Sequence, residues 1–100
     1  MKKNYDLLEK MSSQLSSLDE ELLILLKRRL QTIKKATEYA LKEGEKFSAE
    51  AEEERLLREK SAKASTMSLP ANFVQDIFER IAQESLKEEE RIKREHKNKQ

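Results

Sequence analysis

A chain of 100 residues has the length of one domain, and with 36% hydrophobic against 41% charged residues it carries little apolar material for a private core. Its 21 Lys and Arg oppose 20 Asp and Glu, and a formal charge of +1 gives no bulk pull toward nucleic acid or a membrane surface. The absence of cysteine excludes disulfides, thiolate metal sites and cysteine nucleophiles, and suits a reducing compartment.

At the start, MKKNYDLLEKM has lysines but no apolar run behind them, which is not the pattern of a signal peptide. No stretch has the roughly eighteen consecutive apolar residues of a transmembrane helix. The expectation is a soluble, cytoplasmic protein with neither nucleic-acid nor membrane partners. Gly44 and Pro70 are the strongest breakers and divide the chain into three parts.

The first part is expected to be one very long helix, from about residue 4 to about residue 43. Leu8, Met11, Leu15, Leu18, Leu22 and Leu25 alternate by three and four, which is a heptad seam. Leu23, Leu26, Leu30 and Ile33 form a second stripe beside it, so the middle of this helix calls for more than one neighbour. The pattern runs on through Ala36 and Tyr39 to Gly44, a residue suited to a left-handed C-terminal cap. A helix of about forty residues spans roughly 60 Å, more than a compact monomer of this size can cover. An intertwined homodimer is therefore expected.

The second helix should run from about residue 48 to about residue 63. Ser48 can cap its free amides, Phe47 precedes it as a hydrophobic staple, and Glu50, Glu52 and Glu53 favour the positive dipole end. Its apolar content is slight, chiefly Leu56 and Leu57 with alanines, so it should lie on the surface of the bundle. Pro70 suits the first turn of a third helix from about residue 70 to about residue 94. Phe73, Val74, Ile77, Phe78, Ile81, Ser85, Leu86 and Ile92 mark its inner face. Residues 95–100, EHKNKQ, should be a charged, frayed tail.

Three polar residues interrupt these stripes. Arg29 lies on the seam of the long helix, and Ser85 and Glu89 extend the inner face of the third. A guanidinium buried without an anion costs several kcal/mol, so Arg29 needs a carboxylate. In the structural reading that acid comes from across the dimer, Ser85 bonds its own backbone and Glu89 is solvated. In the functional reading the three line a polar cavity between helices, where bundles build ligand sites. No second His and no Cys stands at ligand spacing from His96, the one histidine, so no metal role is expected. No phosphate loop, nucleophile elbow or dinucleotide fingerprint is present, and no cofactor is implied.

The segment LSSLDEELLILLKRRLQTIKKA, Leu15 to Ala36, with its Leu-Asp-Glu-x-Leu-Leu followed by Arg-Arg, resembles the first helix of the all-helical chorismate mutases. A glycine-marked loop, an acidic second helix with Leu56 and Leu57, and a third helix with Ser85 follow at matching distances. The resemblance implies three helices in an intertwined homodimeric bundle of chorismate mutase type II architecture. It also implies a small dianionic ligand, chorismate or a similar acid, rearranged to prephenate in aromatic amino acid biosynthesis without a covalent intermediate. Such catalysis rests on positioning and electrostatics.

Residue by residue, the resemblance makes Arg29, Glu53 and Ser85 substrate-binding groups and Glu89 the catalytic group facing the ether oxygen. It fails at three cationic positions. The arginine donated by the partner falls at Ser12, the lysine late in the first helix at Ala40, and the arginine of the second helix at Glu52. Lys35, Lys42, Lys46 or Arg55 would stand in for these only under a shifted loop register. The expected function is thus a chorismate-mutase-like protein with weak or no activity. The alternative is a non-catalytic dimeric module for binding, regulation or assembly.

Overall fold

The computed structural model describes residues 2–99, and the side chains of residues 5–99. Three α-helices make up the architecture: α1 (Lys2–Glu43), α2 (Ala49–Thr66) and α3 (Ala71–Asn98). Among the described residues there are no strands, and no helix is long and apolar enough to cross a membrane.

Each helix boundary has a local cause. α1 ends where Gly44 takes φ +68° and Glu45 N–H closes back on the Ala40 carbonyl, 2.9 Å, as a left-handed cap requires. α2 opens at Ser48, whose extended backbone lets Oγ accept the Ala51 N–H at 3.1 Å. Pro70 stands at the N-cap of α3, one position outside the helix and not in its first turn, with its carbonyl accepting the Val74 N–H. Two helices outrun their expected ends. α2 continues past Lys63 to Thr66, and α3 passes Arg94 to Asn98, so the expected frayed tail is largely helical. Pairs such as Arg91 with Glu88 and Glu95, one turn to either side, support that last stretch. Gln100 lies outside the described residues.

The molecule measures 67 × 29 × 17 Å with a radius of gyration of 18.5 Å, against about 13 Å for a compact 100-residue domain. α3 packs against both α1 and α2, and this contact lies in the C-terminal half of α1, where Ile33, Thr37 and Ala40 are buried. The core is small. Its apolar members are Ile33, Ala40, Ala49, Ala64, Val74 and Ile92, half of them alanine. On the inner face of α3, Phe78, Ile81 and Leu86 are only half-buried, while Phe73 and Ile77 stand exposed.

The seam on α1 is open. Leu8, Met11, Leu15, Leu18, Leu22 and Leu25 are 48–65% exposed, and Leu23, Ile24 and Leu26 beside them are exposed too. Scattered exposed leucines are ordinary, but a contiguous stripe over several turns marks an interaction surface.

Candidate functional site

Where α1, α2 and α3 meet, the core turns polar. Thr37, Glu53, Ser85 and Glu89 are all buried, and Arg29 sits at their edge with its side chain 26% exposed. Two of these groups are explained locally. Thr37 Oγ1 donates to the Ile33 carbonyl at 2.8 Å, and Ser85 Oγ to the Ile81 carbonyl at 3.2 Å, each one turn back on its own helix.

Arg29 and Glu53 form a bidentate pair linking α1 to α2. Nη1 donates to Oε2 at 2.7 Å and Nη2 to Oε1 at 2.6 Å, the fork geometry that makes arginine–carboxylate pairs strong. Nη1 also reaches Ser85 Oγ at 3.4 Å, and the guanidinium lies 5.9 Å from the centre of the Phe78 ring. Burial alone pushes the Glu53 carboxyl up. The hydrogen bonds from Arg29 and Ser85, with the Arg29 charge, outweigh it and hold the group below its ordinary value. The acid expected from across a dimer is thus supplied within the chain.

Glu89 is not solvated. Its Oε2 accepts the Ala49 N–H at 2.8 Å, where the first amides of α2 lack helical partners. A carboxylate there also meets the positive end of the helix dipole. Lys93 Nζ lies 3.6 Å from the other oxygen, Oε1. Arg29 therefore faces Ser85 and Glu53, while Glu89 is engaged one turn further along α3.

Two open grooves adjoin this cluster and share Phe47 as a wall. One, of about 230 Å³, is lined by residues that include Arg29, Ile33, Phe47, Glu52, Glu53 and Leu56. The other, of about 240 Å³, is lined by Thr37, Ala40, Leu41, Lys46, Phe47 and Lys93. Of the cations considered as substitutes, Lys46 faces the second groove. Lys42 lines a separate cleft with Glu95 and His96, and Lys35 is exposed. Arg55 is committed to its own helix, 2.7 Å from both Glu52 and Glu59. Ser12 is exposed on the open part of α1.

Sequence reasoning passed over Lys93 and the role of Phe47 in both grooves. Lys93 had a signal, its place one turn after Glu89. Phe47 had none beyond its position before α2. No metal-binding group of His, Cys, Asp or Glu occurs among the described residues.

No curated protein and no solved structure matches the chain. The family model for chorismate mutase type II does match, over residues 11–90, a span that holds the Arg29–Glu53 pair, Ser85 and Glu89 on three helices in the expected order. The chain belongs to the chorismate mutase type II family.

Proposed function

We propose that this chain is a dimeric, chorismate-mutase-like protein whose turnover is weak because its site has lost most of its positive charge. The observation that carries the reading is the state of Arg29: both terminal nitrogens of its guanidinium are taken by Glu53. A ligand carboxylate must displace that internal carboxylate or bind a guanidinium whose charge is already offset. Nearby, Ala40 offers a methyl group where the family resemblance calls for a lysine, and Glu52 offers an acid where it calls for an arginine. Like charge facing a dianion weakens binding. In this reading Arg29, Glu53 and Ser85 line the substrate site and Glu89 stands at the reacting ether.

Two features support the dimer. The stripe from Leu8 to Leu25 is uncovered within one chain. Each groove is also smaller and more open than the roughly 300–1,000 Å³ of a complete small-molecule site. A second copy laid along α1 covers the stripe and roofs the grooves together.

The test is kcat/KM for chorismate, followed by loss of its absorbance, beside a triple variant S12R/A40K/E52R. The wild type is expected well below about 10⁴ M⁻¹s⁻¹, and the triple variant about a hundredfold or more above it. A wild-type value at or above that level would refute the reading. The second reading, a non-catalytic dimeric binding or assembly module, is favoured by the internal neutralisation of Arg29. A wild type that fails to bind chorismate at all would select it.

A further inference from the structure

The groove beside Ala40 contains a cation from a different helix. Lys93 stands on α3 four residues after Glu89, and residues at that spacing share a helix face, with long side chains leaning back toward the N-terminus. The lean brings Nζ to 3.6 Å from Glu89 Oε1 and places the side chain along the groove with Thr37, Ala40, Lys46 and Phe47. Ala40 is buried and lines the same groove with only a methyl group.

We propose that Lys93 supplies, from α3, the ligand-facing ammonium that position 40 on α1 lacks, and donates to an oxygen of a bound dicarboxylate; the proposal rests on the mutase-type reading above. Donor capacity favours it. An ammonium has three N–H groups, and a single contact to Glu89 leaves two for a ligand. Arg29 spends two of its five N–H groups on Glu53 and a third on Ser85, and the Glu53 carboxylate already offsets its charge, while Arg55 is held between Glu52 and Glu59. Charge balance points the same way. Glu89 Oε2 is committed to the Ala49 amide, and a positive Lys93 at Oε1 cancels a charge that would otherwise repel an incoming carboxylate. Lys46 faces the same groove from the loop before α2, beside Glu45. At 50% exposure the Lys93 side chain remains free to turn toward a ligand.

The experiment compares wild type, K93A, K93R, A40K and the double variant K93A/A40K. Each is measured for chorismate turnover, chorismate binding by ligand-observed NMR, and thermal stability. K93A is expected to lose about tenfold or more in kcat/KM, the worth of one charge-assisted contact. Its melting temperature should stay close to that of wild type, because a half-exposed pair adds little to stability. K93R should retain most activity. A40K should restore the K93A background, since the ammonium then reaches the groove from α1, and a merely structural partner of Glu89 would not be replaced in that way. Turnover by K93A within about twofold of wild type, or failure of A40K to rescue it, would overturn the proposal. If wild type binds chorismate and K93A binds it equally well, this inference alone falls. If wild type does not bind it, the mutase-type reading falls as well.

Discussion

Replacing Arg29 by Met and Glu53 by Gln should have unequal costs, because the two partners are buried unequally: the Glu53 side chain is 3% exposed and that of Arg29 is 26%. R29M strands a carboxylate in the core without its cation. Breaking a buried pair from one side costs about 3–5 kcal/mol, and the near-complete burial of Glu53 puts this case within that range. E53Q leaves Arg29 with an amide oxygen, the Ser85 hydroxyl, the Phe78 ring and an outlet to solvent, for a loss of about 1–3 kcal/mol. R29M/E53M removes both charges and fills the space with apolar bulk, and should lie within about 1 kcal/mol of wild type. The cycle is read by urea denaturation at one fixed protein concentration, since association contributes to stability. In a thermal scan R29M should melt about 10 °C or more below wild type. Equal losses for R29M and E53Q, or a double variant worse than either, would refute the reasoning. The pH dependence carries a sign. The folded-state pKa of Glu53 lies below its ordinary value. Its contribution is thus fully present above the unfolded carboxyl pKa, about 4.3, and is lost as pH falls through the lower folded value. Wild type should lose stability over that acid window more steeply than E53Q, in which the group no longer titrates.

Light scattering should give twice the chain mass of 11.8 kDa, with a melting temperature that rises with concentration; a fully helical monomer would exclude the dimer. L22E places a charge on the open seam of α1 and should shift the equilibrium toward monomer or unfolded chain, whereas an unchanged mass would show that the stripe is not the interface. G44A should cost about 1–2 kcal/mol. The left-handed φ of +68° is the source of that cost, because an added Cβ meets no atom within 4 Å. Unchanged stability in G44A would mean the cap had been replaced by another turn.

Much of the fold was legible in sequence because it depends on local chemistry. Three-and-four spacing needs no neighbour to declare a helix face, a lone glycine marks a left-handed cap, and Ser48 before Glu50, Glu52 and Glu53 marks a helix start. The family was legible for the same reason, since its signature lies in one continuous stretch of α1. The far end of α3 was misread. Charge density in EHKNKQ suggested fraying, but the helix runs on to Asn98, past Arg91 and its pairs with Glu88 and Glu95.

The site divides along the same line. That Arg29, Ser85 and Glu89 interrupt apolar stripes follows from periodicity, and so does their need for partners. Which partner each one takes does not. Glu53 reaches Arg29 across 24 residues of chain, and Glu89 reaches the Ala49 amide across 40. The first closes only when α2 is brought against α1 and the second only when α2 and α3 pack together, so tertiary structure made a buried helix cap of the acid that the structural reading left solvated, and an internal pair of the one that reading placed across a dimer. Periodicity says which face of a helix turns inward, while the partners met there depend on how separate helices slide and cross, a geometry that their individual sequences do not encode locally.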